Sequence, residues 1–237
     1  MFYNNFQNRH IDTRSVVFNL IVINVLLFAA TYFLPGLIRQ MPDLRQVLGL
    51  YYPTSEYFKP IQLISHMFMH DGFMHIFFNM FNLYMFGTIL ERVWGPQRFL
   101  YYYLITGFGA VALHLGVQAW EVYRICGTVM PHYGMVLSEL QVEQLSRIIN
   151  VPTIGASGAV FGLLTAYGVL FANSEIYIYG VFPLKAKYFT LGLIGFELWR
   201  GFQANPSDNV AHFAHLGGAL IGYLLVKFWS KNRDFLY

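Results

Sequence analysis

Charge is scarce in this chain. Of its 237 residues only 11% are Asp, Glu, Lys or Arg, while 56% are hydrophobic. Water-soluble domains carry about 25% charge, so the composition points instead to a polytopic membrane protein. The net charge is small, +3, and no basic run occurs, which excludes a nucleic-acid partner of the usual electrostatic kind. Cysteine is nearly absent. Cys126 stands alone, so neither an intrachain disulfide nor a metal site built on thiolates can form. Repeats, linkers and low-complexity tracts are lacking too, and residues 1–237 read as one domain. The first apolar run is too long for a signal peptide and no small-residue cleavage site follows it. It is expected to be a membrane helix.

What the chain has in abundance is long apolar blocks. About 20 apolar residues cross a bilayer core of about 30 Å as a helix. Six stretches qualify: 15–34, 72–93, 97–118, 153–171, 187–203 and 209–230. The expected fold class is an all-α polytopic membrane protein, a bundle of six transmembrane helices. Pro35-Gly36 should end the first helix and Gly95-Pro96 the second. Between them, residues 36–71 are too polar and proline-rich to span. They predict short interfacial helices anchored by Tyr51, Tyr52 and Tyr57. Residues 119–152 include "SELQVEQLSRIIN", an amphipathic helical pattern with no assigned role.

Basic residues set the expected orientation. Arg9, Arg14, Arg92, Arg98, Lys185, Lys187, Lys227, Lys231 and Arg233 fall on one side, in short segments close to helix ends. Arg39, Arg45, Lys59, Arg124, Arg147 and Arg200 fall on the other. The positive-inside rule then puts both termini in the cytoplasm. The expected membrane is a bacterial cytoplasmic (inner) one.

Polar groups inside a membrane are expensive and call for a partner or a purpose. Four places hold them. The first is Gly155-Ala156-Ser157-Gly158. Small residues there would let helices approach closely. Alternatively, Ser157 is a nucleophile near a helix N-terminus, where backbone N–H groups favour developing negative charge. With Pro152 starting the helix and Thr153 capping it, Ser157 would lie about 6 Å along the axis. The second place is "NVAHFAHLGGALIGYLL", where His215 shares a face with Gly218 and Gly222. Ser157 is followed by its own seam of Gly158, Gly162 and Ala166. Two such seams would bring hydroxyl and imidazole together as base-activated serines require. A buried structural histidine is the plainer alternative, and His212 suits it.

The third place is "HMFMHDGFMHIFFNMFN". Asp71 would cap the second helix, putting His75 and Asn79 on one face as i and i+4. They are either oxyanion donors or inter-helix hydrogen-bonding groups worth about 0.6 kcal/mol each. His66 and His70 share zinc-pair spacing, but the glutamate of a metalloprotease helix is missing. The fourth place, Glu91, Arg92 and Arg98, reads as a clamp and topology signal at the cytoplasmic end.

Together these motifs resemble the rhomboid family of intramembrane serine proteases. The matching residues are His70-Asp71-Gly72-Phe73-Met74-His75 with Asn79, then Gly155-Ala156-Ser157-Gly158, then Ala214-His215-Leu216-Gly217-Gly218. The resemblance spans the second to sixth helices. It implies a serine endopeptidase, a hydrolase that cuts membrane-protein substrates in or beside their transmembrane segments. Ser157 would be the nucleophile and His215 the base and later the acid. His75, Asn79 and the Ser157 backbone would form the oxyanion hole. Gly155 would let the substrate backbone approach, and Phe161 would place an aromatic ring against His215. No cofactor or metal is implied, and the partners would be the bilayer and membrane-protein substrates. No carboxylate precedes His215 closely on its own helix, Asp208 being two turns earlier, so a Ser-His dyad is expected, near the outer face. His66, His70 and Ser65 would line a water path to it. Three alternatives differ in class: an inactive relative that binds membrane proteins, a haem or metal protein using some of the eight histidines, and a transporter with midplane sites.

Overall fold

The computed structural model describes residues 15–38, 41–178, 180–203 and 211–231. Helix α1 (Val16–Leu37) starts where Ser15 accepts a hydrogen bond from the Phe18 N–H. Glu91, far along the chain, finishes that cap. Its carboxylate accepts from the N–H groups of Val16 and Val17 at 2.7 and 3.1 Å and from the Ser15 hydroxyl at 2.8 Å. A helix N-terminus favours such an anion, so Glu91 is a clamp between helices. At the other end α1 runs through Pro35 instead of stopping before it. In a last turn proline removes a single backbone bond, and Ile38 closes the turn on the Leu34 carbonyl.

The next connection holds α2 (Leu44–Leu48) and α3 (Gln62–Ser65), which runs into a 3-10 turn, His66–Phe68. These are the short helices that the sequence predicts, but the tyrosine anchors differ. Tyr51 and Tyr52 are buried, and the Tyr52 hydroxyl donates to the Val129 carbonyl at 2.8 Å. Tyr57 is the exposed one. Tyr52 packs with Val122 and Leu145, and the Tyr51 ring lies 5.5 Å from that of Tyr57, so protein covers both rings.

The second expected span is continuous over Phe73–Trp94. It comprises α4 (Phe73–Asn82), a π turn at Leu83–Gly87, and α5 (Thr88–Trp94). Gly72, not Asp71, is its N-cap. The Asp71 carboxylate is taken by Arg45 at 2.8 Å, and the same guanidinium holds Asp43 at 2.6 Å. Helix α6 (Pro96–Cys126) has proline at its first position and Gly127 at φ 73° after its end. It overruns the expected end at Gln118 because its last two turns have a partner. That partner is α7 (Glu139–Ile149), which carries the "SELQVEQLSRIIN" pattern. Ser138 and Gln141 form a capping box at its start. Leu145 then packs with Val122 of α6 and Tyr52.

Helix α8 (Ser157–Leu170) is followed by an antiparallel hairpin that the apolar pattern does not foretell. Its strands are β1 (Glu175–Ile178) and β2 (Phe182–Lys185), with Glu175 opposite Lys185. Helices α9 (Ala186–Gln203) and α10 (His212–Lys231) complete the chain. The expected helix start at Asn209, and Arg9, Arg14, Arg39, Asp208 and Arg233, lie outside the described residues. A helix covers most of each of the six expected stretches. Among the described residues four spans, α1, Phe73–Trp94, α6 and α10, are by length and composition apolar enough to cross a membrane. Helix α8 has only 14 residues, and α9 carries Lys187, Glu197 and Arg200. The protein is thus a helical, polytopic membrane protein. Large apolar side chains such as Leu26, Phe33, Phe73 and Phe77 are exposed on its outside, the surface a bilayer would cover.

The centre of the bundle is built on small residues. A methyl on Gly218 would collide with the Gly158 carbonyl. One on Gly222 would sit 3.0 Å from the Cα of Gly162. The seams of α8 and α10 therefore face each other and the helices run parallel in contact. Across this joint Tyr102 of α6 donates to the Gly162 carbonyl at 2.8 Å. This is the close backbone packing that glycines permit in membranes.

Candidate active site

The approach to α8 is extended. Leu50 and Thr153 exchange both backbone hydrogen bonds, at 2.9 and 2.8 Å, and the Gly155 N–H donates to the His66 carbonyl at 2.9 Å. Gly155 has φ 125°, a region that side chains rarely tolerate. The helix therefore begins at Ser157 and not near Thr153, whose hydroxyl pairs with His114 Nε2 at 2.8 Å. This moves Ser157 from the second turn to the first residue of the helix. There the backbone N–H groups have no partner within the helix and the dipole is most positive.

The parallel seams set the depth of the opposing side chain. His215, in the first turn of α10, has Nε2 2.7 Å from Ser157 Oγ. Phe161, one turn beyond the serine, stacks on the imidazole with centroids 4.4 Å apart and planes 8° from parallel. Ring rotation is thereby restricted while Nε2 faces the hydroxyl.

A carboxylate sought along the helix of His215 is found on a different one. Glu197 of α9 is buried at 8% exposure. Its Oε2 lies 2.6 Å from His212 Nδ1 and 2.9 Å from His215 Nδ1. The first contact is an aligned hydrogen bond. The second is a close ion-pair contact, off the line of a ring N–H. The signal was present in the sequence: Glu197 is the one acid within "TLGLIGFELW", and an ionisable group in an apolar helix is a functional candidate by default. Inspection of a single helix misses it.

His75, in the first turn of α4, reaches the site from the opposite side. A methyl on Gly155 would lie 2.8 Å from His75 Nε2 and 3.5 Å from Ser157 Oγ. The missing side chain therefore leaves a cradle between the serine and an imidazole. The Asp71 N–H donates to His75 Nδ1 at 3.4 Å, which leaves Nε2 to carry the ring proton into that cradle. Asn79 is buried on the next turn, where its amide donates to the His75 carbonyl at 2.9 Å. It supports the backbone of His75 and is not brought to Ser157.

A small cavity beside the serine is lined by His66, His114, Thr153, Gly155 and Ser157 among others. Of the three residues expected along a water path, His66 lines it. The Ser65 hydroxyl instead donates to the Leu48 carbonyl, and the rings of His70 and His75 meet edge to face with centroids 4.9 Å apart. Burial pushes the imidazole of His66 down to about 4 and that of His70 down to about 3. Both rings are neutral at pH 7. His66 Nδ1 faces the Gln62 carbonyl at 2.8 Å. Among the described residues, the group of three whose donor atoms converge is Glu197, His212 and His215, within 4.8 Å of one another.

Comparison with known proteins bears on this arrangement. The family model described as Rhomboid domain matches residues 57–232. Rhomboid protein 1, mitochondrial, of Saccharomyces cerevisiae is 28% identical over 92% of this chain and 54% of its own length. Rhomboid-like protein 11, chloroplastic, of Arabidopsis thaliana is 30% identical over 91% of this chain and 65% of its own. Rhomboid protease AarA of Providencia stuartii is 28% identical over 67% of this chain and 52% of its own. The chain thus spans between about half and two thirds of these relatives. Two of the three are named for organelles, so the expected bacterial inner membrane draws no support from them. A membrane location rests on the apolar helices alone.

Proposed function

The chain belongs to the rhomboid family, and from that premise we propose that it is an intramembrane serine endopeptidase. Its substrates are membrane proteins, cut in or beside a transmembrane segment at the outer side of the bilayer. One observation carries this reading above the rest: the 2.7 Å contact between Ser157 Oγ and His215 Nε2 at the first residue of a helix.

The chemistry follows from the positions. His215 Nε2 takes the Ser157 proton as Oγ attacks the scissile carbonyl carbon. Negative charge develops on the carbonyl oxygen, which sits in the cradle before Gly155. The Ser157 backbone N–H and His75 Nε2–H donate to it, with Asn79 holding His75 in place. His215 then passes its proton to the departing amine, and the acyl group leaves Ser157 by reaction with water. A transmembrane substrate must unwind locally to present its backbone. Helix-breaking and small residues near the cut site ease that step.

The test uses detergent-purified protein, a fluorescent fluorophosphonate and a membrane-protein substrate. Wild type should label at one serine and cleave. Both reactions should vanish in Ser157→Ala, and His215→Ala should lose labelling while keeping the fold. Cleavage by Ser157→Ala at the wild-type rate would refute the assignment.

A further inference from the structure

The buried acid on α9 has no place in a two-residue mechanism. A carboxylate among apolar helices is costly unless it is paired and hydrogen-bonded. Glu197 is paired with imidazoles, through one oxygen that touches both His212 and His215. His215 must present a proton-free Nε2 to Ser157, so its ring proton belongs on Nδ1, the atom 2.9 Å from Glu197 Oε2. His212 Nδ1–H fixes that same oxygen from the other side at 2.6 Å. Phe161 covers a face of the ring.

We propose that Glu197 is the positioning residue of this site: it holds His215 in the tautomer that accepts from Ser157 and stabilises the imidazolium formed, while His212 clamps the carboxylate. The inference rests on the serine-protease reading above. Proton bookkeeping is simple. The Ser157 proton moves to Nε2, the Nδ1 proton stays on His215, and Glu197 remains ionised throughout. Contacts of this kind are often imperfectly aligned before substrate binds, as the second one is here. His212, His75 and His114 are the other titratable groups that face or feel the charge of His215. None of the three is an anion, and among the described residues it is Glu197 that supplies the opposing charge.

The experiment compares Glu197→Gln, Glu197→Asp and Ser157→Ala with wild type by fluorophosphonate labelling, kcat and KM on a membrane substrate, and pH profile. Glu197→Gln should lose about 10²- to 10⁴-fold in kcat, the scale on which replacing the acid by an amide acts in Ser-His-Asp enzymes. KM should hold, and the pH profile of kcat should change. Glu197→Asp should recover part of the rate, which distinguishes positioning from a packing defect and serves if the amide variant folds poorly. Wild-type kcat and pH profile in Glu197→Gln would overturn the role, as would stoichiometric zinc in wild type that Glu197→Gln releases. If Ser157→Ala is inert while Glu197→Gln is fully active, only the role of Glu197 fails. If Ser157→Ala still cleaves, the protease reading itself fails.

Discussion

Gly218→Ala adds one methyl group at the tightest point between α8 and α10. That methyl would penetrate the carbonyl of Gly158, a backbone group that cannot swing aside as a side-chain tip can. The helices must part by roughly 1 Å or more to restore ordinary contact distances. Overpacking of this kind costs about 1–3 kcal/mol of stability. The larger effect should be chemical. Ser157 immediately precedes Gly158, and His215 lies one turn before Gly218, so separation at the seam stretches the 2.7 Å contact between them. A displacement of about 1 Å at a reacting pair lowers rate about 100-fold. The assay is the initial rate of fluorophosphonate labelling per folded molecule, with folding checked by thermal melting and size-exclusion chromatography. Gly116→Ala is the control, because that glycine is exposed on α6 with nothing within 4 Å of its added methyl. It should melt and label like wild type. If Gly218→Ala also labels at the wild-type rate and melts unchanged, the seam does not set the geometry of the site.

Glu91→Ala should lower stability by about 1–3 kcal/mol, since it strips hydrogen bonds from a charged acceptor at the start of α1. Its labelling rate per folded molecule should be unchanged, because Glu91 lies about 24 Å along its span from His75 at 1.5 Å per residue. An equal loss of rate would contradict that separation. Acid should also destabilise the protein. His66 and His70 are held neutral by burial, so the unfolded chain binds protons first. Their stabilising effect is complete above about pH 6.5 and is lost as pH falls toward 4 for His66 and 3 for His70, at up to about 1.4 kcal/mol per pH unit for each ring. Melting temperature in detergent, measured from pH 7 to pH 4, should fall steadily. A flat profile would mean that the two rings are hydrated.

Much of this architecture is legible in the sequence, because apolar blocks of helical length have few other fates. The convergence of Ser157, His215, Gly155, His75 and Phe161 follows the order of the motifs along the chain. Details set by tertiary contacts are not legible. The start of α8 depends on Leu50 and His66, which draw residues 153–155 into an extended path. The overrun of α6 depends on α7 and Tyr52 packing beside it. The hairpin Glu175–Lys185 has too little apolar alternation to stand out. Glu197 escapes notice because its partners lie on another helix, whereas local patterns speak only of neighbours in sequence.

The stitching of residues 153–155 to the α2–α3 region has a consequence for when the candidate site is assembled during folding. Leu50 must find Thr153, His66 must find Gly155, and Ser157 must find a histidine 58 residues further on. Contacts so distant in the chain form late. An inserted but incompletely packed chain therefore carries a serine with no base, no cradle and no helix terminus behind it. Under the proposed function, hydrolytic power would arrive only with the finished bundle, and a nascent copy would have no means to cut its neighbours in a crowded membrane.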